Sequence, residues 1–382
     1  MGIRIIPHSA ELSDAVDAFN GRMRAGGSHW GFYTVPVDSW LPQQEGYHVW
    51  REYHLAVDDD GLVRGAYALR PQQFWIRGAL HTVTDWQGPF TEGAVSPKYA
   101  ALGLRMVRDM LKKFPNLYSW GHGGNEQPLV QMLEKMKWQL HETPLCLRVM
   151  RPARFLRRNN MFRDTVQKRL GLDLLALSGA GSVGLRAMHA GLKLQSRSGG
   201  DGRATRGGGA TQTTEEPYFH DWTDEVWERC KDQYSALSVR DAATMNLLIR
   251  AQGWPPARRL RVSRQGQTIG WAAVLDTKMN DDSRFGTMRV GSIVDCLASP
   301  EDAGAVVAAA TDYLRECEAD IVISNQSHPG WVQGFADNGY LILQDKRLFA
   351  ASPALTELLS PFDEASRGLH LTNMDGHGPM GL

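Results

Sequence analysis

The 382-residue sequence predicts an α/β protein of the mixed-sheet (α+β) kind, with two similar halves in tandem joined by a basic helical and glycine-rich connector. Three observations predict this. The length asks for two domains or one large one, at roughly 100–200 residues per domain. Residues 199–209 contain six glycines in eleven positions, and such a stretch cannot bury enough surface to offset its ordering entropy. It reads as a flexible linker that continues through residues 210–214, which show no apolar periodicity. On either side of it, extended runs bounded by turn residues alternate with runs of helical apolar spacing, in the same order.

In the first half, residues 53–57 are expected as a strand, 58–61 as a hairpin turn, and 62–69 and 73–83 as further strands. Pro97 and Tyr99 open a helix through residues 100–111. Residues 117–120 form a strand, 129–138 a helix with Leu and Met at three- and four-residue steps, and 144–150 a closing strand. The second half repeats the order, with strands at 260–262 and 268–275 around a turn at 264–266, then a longer strand at 288–297. A helix follows to about residue 316. Ser299 is expected to accept a first-turn N–H there, and Glu301 and Asp302 suit the positive helix end. Residues 321–324 are a strand, 329–338 a short helix, and 340–343 and 348–350 run extended. The expected boundaries are 1–150, a connector at 151–215, and 216–382.

Composition narrows the function classes. Hydrophobic residues at 42%, charged at 22% and aromatic at 9% fit a globular chain with a sizeable core and exclude wholesale disorder. Lys+Arg and Asp+Glu are both 42, which argues against a protein held along its length on nucleic acid. The balance is local, however: residues 151–214 hold twelve Lys/Arg against three Asp/Glu, so a segment of about +9 joins two acidic bodies. Within it, residues 155–194 read as one or two basic amphipathic helices. Two roles stay open, a strut packed on one domain or a membrane-surface contact on anionic lipid through residues 151–194. Arg154, Arg157, Arg158, Arg163, Lys168 and Arg169 suit phosphates of tRNA or of lipid headgroups, but few aromatics are present for base stacking, which argues against tRNA.

Cys146, Cys230, Cys296 and Cys317 are far apart and form no CxxC or zinc-finger spacing, so a reducing, cytoplasmic setting is expected. No signal-peptide pattern and no run of 18 apolar residues is present, and neither secretion nor membrane spanning is expected. His370, Asp375 and His377 in the glycine-rich tail are too weakly spaced for a metal site, and an ordered extension that folds back is the expected role.

Several motifs carry a family resemblance. In the first half they are residues 95–99 (Val-Ser-Pro-Lys-Tyr), Gly103, Asn125 and the ending 135–138 (Lys-Met-Lys-Trp). In the second they are residues 290–298, the Val-Ile-Ser-Asn run ending at Asn325, and the Asp-Asn-Gly-Tyr run ending at Tyr340. A long strand feeding a helix, then strand, Asn, short helix and aromatic, resembles the GNAT acyltransferase superfamily, here as two GNAT-like domains in tandem. Residues 239–241, 291–295, 324–328, 350–353 and 370–378 resemble tandem-GNAT proteins associated with bacterial cell-surface polysaccharide loci, and less closely the Fem-type and mycothiol-synthase-like transferases.

The resemblance implies an N-acyltransferase that moves an acetyl or longer acyl group from acyl-CoA to an amine, such as an amino sugar or another glycan precursor. Two alternatives remain, a non-catalytic binding scaffold and a Fem-type transferase using charged tRNA. GNAT proteins cradle the donor pyrophosphate on backbone N–H groups after an Arg/Gln-x-x-Gly-x-Gly/Ala loop. The first half keeps Gly103 but has Arg105 at the last glycine; the second has Glu301 and Asp302 where the anion would sit. Val95, Gly103, Leu104, Asn125 and Asn325 are therefore the implied donor-binding residues. Asp295 with His328 in the second half, and Asp85 or Glu92 in the first, are the candidate proton-handling groups. Cys296, next to Asp295, is expected in the core by strand alternation. Trp138 and Tyr340, which follow the short helix of each half, are expected as core residues rather than catalytic ones.

Overall fold

The computed structural model describes residues 2–36, 41–121, 126–160, 210–250, 256–344 and 348–376, with a few helical positions between 172 and 187. The chain divides into two compact units, residues 1–141 with 348–364 and residues 142–347 with 365–382.

The first unit begins with β1 (Ile3–Pro7) and α1 (Ser13–Ala25), neither of which was expected from the sequence. Then come β2 (Glu52–Asp58), β3 (Val63–Ile76), β4 (Ala79–Thr91), α2 (Leu102–Lys113), β5 (Leu117–Trp120), α3 (Pro128–Lys135) and β6 (Gln139–Glu142). Strand alternation gives the sheet two apolar faces. Ala66 and Ala68 of β3 pack with Val16, Phe19 and Met23 of α1. Tyr67 and Leu69 pack with Met106, Val107 and Met110 of α2 and Leu133 of α3. Each fully buried Leu, Val, Met or Phe side chain among these contributes about 1.5–3 kcal/mol.

The second unit opens with β7 (Leu145–Val149) and α4 (Pro152–Arg158), and resumes at β8 (Thr211–Glu216), α5 (Asp221–Cys230), β9 (Ala236–Ser238) and α6 (Ala242–Leu248). A meander β10 (Arg258–Arg264), β11 (Gln267–Lys278) and β12 (Arg289–Ala298) leads to α7 (Ala303–Glu316), β13 (Ile321–Asn325), α8 (Pro329–Asp337) and β14 (Leu341–Leu343). The sheet order is β14-β7-β13-β12-β11-β10-β8. The chain then returns to the first unit as β15 (Leu348–Ala351) and α9 (Pro353–Leu358), and ends in the second with β16 (Leu369–His370).

Two strands sit in the sheet of the opposite half. β7, expected to close the first half, pairs antiparallel with β13, from Val149↔Ile321 to Leu145↔Asn325. β15, from the second half, pairs antiparallel with β5, with Phe349 opposite Trp120. Both are short apolar strands, and their composition suits either sheet equally, so sequence proximity was the wrong guide to pairing.

Other local expectations are corrected. The strand expected at 73–83 is broken by a two-residue hairpin turn at Arg77 and Gly78, both at positive φ, which separates β3 from β4. Residues 211–215, expected as part of the connector, form with Glu216 the edge strand β8 against β10. Its side chains are almost all exposed, so no apolar alternation marks it, and β-branched threonines supply the strand preference. Ser299 does not cap its helix through its side chain; a short 3-10 turn intervenes, and its hydroxyl accepts from Gln233 Nε2 instead. Of the basic helical segment, α4 is described; most of residues 161–209 lie outside the described residues.

Candidate functional site

Each unit contains a parallel strand pair that meets briefly and then diverges. In the first, β4 pairs β5 only at Thr84↔Leu117 and Asp85↔Tyr118, although β4 continues six residues further. Beyond that point β4 is bulged against β3, where the register shifts between Ala66 and Ala68, opposite Gly88 and Pro89. Gly88 adopts φ +123, a value that disfavours a side chain. In the second unit, β12 pairs β13 at Val290↔Ile321, Gly291↔Val322 and Ser292↔Ile323 and then departs, with a bulge against β11 between Ala273 and Val274. Bulges at such points re-aim a strand and end its pairing. The result is a wedge at the C-terminal end of each parallel pair, followed by a helix: α2 in one unit, α7 in the other.

In the first unit, Asp85 stands at the apex of the wedge, buried, with Gln87 Nε2 donating to it at 3.2 Å and Arg70 as its cross-strand neighbour. Gly103 and Leu104 are the second and third residues of α2, half-buried. A side chain begun at Gly103 would meet only Pro89, at ordinary contact distance. The helix start carries no acid in its first turn, leaving its free N–H groups and positive end without a local counter-charge. Val95 packs against Gly26 at the end of α1, and its N–H is already bonded to the Glu92 carbonyl. Glu92 is held by two guanidiniums, Arg22 at 2.5 Å and Arg64 at 2.9 Å, and Arg64 also grips Asp58 at 2.7 Å. That network, buried at Glu92 and Asp58, engages Glu92 as an ionic strut among α1, β3 and the turn after β4. Asn125 lies outside the described residues.

In the second unit, Asp295 on β12 is fully buried. Its carboxylate accepts from Arg240 Nε at 3.1 and 3.2 Å, the Thr372 hydroxyl at 2.8 Å and the Cys296 N–H at 2.9 Å. Arg240, 1% exposed, reaches Asp375 at 2.6 Å with its other arm and Ser238 with the third nitrogen. Burial, with the Asp375 carboxylate adding to it against the pull of Arg240, pushes the Asp295 carboxyl up to about 6. One guanidinium facing two carboxylates leaves a net buried negative charge, which a single proton would neutralise. Three of the stretches behind the family resemblance therefore meet in this one cluster: residues 239–241, 291–295 and 370–378. In the sequence, Arg240 and Thr372 stand out only within the stretches 239–241 and 370–378; an arginine directly after Val239 and the short buried strand β9 is the available sign of a buried ion pair.

His328 is engaged by different partners. Its Nδ1 accepts from the Gly330 N–H at 3.1 Å, capping α8 and putting the ring proton on Nε2, while burial pushes its pKa down to about 4. Asn325 ends β13 and donates to the Pro144 carbonyl. Cys296 is buried, as expected, and burial holds its thiol well above the ordinary range. Trp138 and Tyr340 are core residues. The tail folds back: His370 donates from Nε2 to the Cys296 carbonyl at 2.9 Å and stacks on Tyr234 and Trp331. Among the described residues no group of three metal-ligating side chains occurs, and His377 lies outside them.

These pKa directions give a testable pH dependence. His328 and His370 are held neutral below their ordinary 6.5, so stability complete above that pH is lost as pH falls toward 4. Asp295 lies above its ordinary 3.8, so its effect has the opposite sign, favouring the fold as pH falls from about 6 to 4. Tm is expected to rise from pH 4 to 6.5, more steeply in Asp295→Asn and less steeply in His328→Gln. Equal slopes in all three proteins would contradict the assignment.

Both units thus follow meander, diverging parallel pair, intervening helix, and a final antiparallel strand. A structure from Enterococcus faecalis V583, of a conserved protein of unknown function described as a probable N-acyltransferase, superposes with a TM-score of 0.51 at 9% identity, covering 94% of this chain and 74% of that one. The chain has a tandem GNAT-like fold. Saccharomyces cerevisiae N-myristoyltransferase with bound myristoyl-CoA and inhibitors (TM-score 0.49, 8% identity, 92% and 79% coverage) and a GCN5-related N-acetyltransferase from Anabaena variabilis (0.48, 8%, 91% and 72%) are further similar structures. No family model and no curated protein matches the sequence. No helix among the described residues is long and apolar enough to cross a membrane.

Proposed function

We propose that the protein is an N-acyltransferase that takes an acyl group from acyl-CoA at the first unit's wedge. The observation that carries this reading is the divergence of β4 from β5 past Asp85, followed by an acid-free helix start at Gly103. In this reading the pantetheine arm lies between the parting strands, where unpaired strand edges can bond its amides. The pyrophosphate sits on the N–H groups of Gly103 and Leu104. The acceptor amine attacks the thioester carbonyl, the C–N bond forms as the C–S bond breaks, and the amine proton passes through a water to Asp85. CoA leaves as the thiolate and is protonated to the thiol. An amino sugar or related glycan precursor is the proposed acceptor class; the motif resemblance supports it, as does the exposed ring of Trp30 after α1, an apolar face suited to a sugar's C–H surface.

The test is CoA-thiol release with acetyl-CoA against a panel of amino sugars and other primary amines. Turnover with at least one amine is expected, reduced about 10²–10⁴-fold in Asp85→Asn while donor binding is retained. No thiol release with any acceptor, or full activity in Asp85→Asn, would contradict the reading or the role of Asp85 respectively.

A further inference from the structure

The second unit has the same wedge, and its own chain lies in it. Where β12 leaves β13, the Cys296 carbonyl accepts from His370, and the Asp295 carboxylate accepts from the Thr372 hydroxyl. On the β13 side, the Ser327 N–H donates to the Leu371 carbonyl, the Leu371 N–H donates to Ser327 Oγ at 2.7 Å, and Gln326 forms a β-bridge with Thr372. The tail therefore bonds to β12 and to residues 326–327, which directly continue β13. It is also paired in parallel with β9, Leu369 to Ala236 and His370 to Leu237. Its far end is locked by Arg240: Asp375 takes the guanidinium, closes a capping box with Thr372, and accepts from Ser238 Oγ at 2.6 Å.

The helix that follows this wedge is equally unsuited to an anion. Glu301 and Asp302 occupy the turn before α7, and Asp302 is paired with Arg264 at 2.7 Å. Gly304 lies so close to α8 that a Cβ on Gly334 would fall 2.9 Å from the Gly304 nitrogen. By contrast, α2 starts without acids and Gly103 meets only a proline ring.

We propose that residues 369–375 are the permanent occupant of the second unit's wedge, so that this unit takes no acyl donor and the chain binds one donor, in the first unit. The donor half of this statement rests on the acyltransferase reading above; the seating of the tail does not. Asp295, Thr372 and Asp375 are then anchors of an internal ligand, and the wedge of the second unit is a finished core.

Hydrogen exchange read by mass spectrometry on the full-length protein, with and without acetyl-CoA, tests both halves. Peptides spanning 369–375 are expected to exchange as slowly as the β12 core in the unliganded protein. Asp375→Asn, which keeps the Arg240–Asp295 pair, is expected to speed that segment about tenfold to a hundredfold, the effect of losing a charge-assisted hydrogen bond. Acetyl-CoA should protect residues 86–91 and 101–106 and leave 293–298, 324–328 and 369–375 unchanged. Exchange of the tail within seconds in the wild-type protein, or acetyl-CoA protecting 293–298 or loosening 369–375, would overturn the proposal. Acetyl-CoA altering no peptide would instead remove the acyltransferase reading, with tail exchange still deciding whether the wedge is occupied.

Discussion

Replacing Arg240 by methionine is expected to destabilise the second unit by about 3–5 kcal/mol. The guanidinium is the cation facing Asp295 and Asp375, both essentially inaccessible to water, and it also bonds Ser238 and Thr372. Methionine fills much of the same volume, so the loss would report uncompensated charge and unsatisfied acceptors rather than a cavity. Because the cluster ties β9, β12 and the tail together, the effect should be cooperative across that unit. Adding Asp295→Asn to Arg240→Met should recover part of the loss, since one of the two stranded charges is then removed. Urea unfolding followed by the fluorescence of the buried Trp271 and Trp331 measures it. A loss below about 1 kcal/mol, typical of an exposed ion pair, would contradict the assignment.

Gly103→Glu is expected to weaken acyl-CoA binding by at least about 100-fold while leaving the fold intact. The new Cβ meets only Pro89 at 3.4 Å, so no backbone has to move. A carboxylate in the first turn of α2 favours the helix by about 0.3–1 kcal/mol through the macrodipole, so lost binding could not be assigned to unfolding. The same carboxylate would place a negative charge, and a side chain, where the pyrophosphate is proposed to approach the helix N–H groups. Unchanged affinity in this variant would remove the donor site from α2. The equivalent change in α7 should have no effect on donor affinity, because Glu301 and Asp302 already precede that helix.

Much of the architecture was legible because it depends on local signals. The Leu/Met spacing of α2 and α3, the turn at Gln265 and Gly266, and the long apolar β12 all fall near their expected places. What was not legible depends on partners distant in the chain. Nothing in Leu145–Val149 or Leu348–Ala351 says which sheet receives it, since each is a short apolar strand that fits any open edge. β8 carries no periodic sequence signal because an exposed edge strand needs no apolar period. Asp295 is legible as a lone carboxylate on a buried strand, but its setting depends on Arg240, 55 residues earlier, and Asp375, far later. The acids at residues 301 and 302, read from the sequence as hostile to an anion, do stand before α7, with Asp302 tied to Arg264. Asp85 reads differently again: only the point at which β4 and β5 stop pairing gives that residue its position.

The most direct measurement is isothermal titration of acetyl-CoA and of a longer acyl-CoA into the wild-type protein, reading stoichiometry as well as affinity. The account predicts saturable, micromolar binding of at least one donor with one site per chain. Two sites per chain would contradict the occupied wedge of the second unit, and no binding of any acyl-CoA would contradict the acyltransferase reading itself.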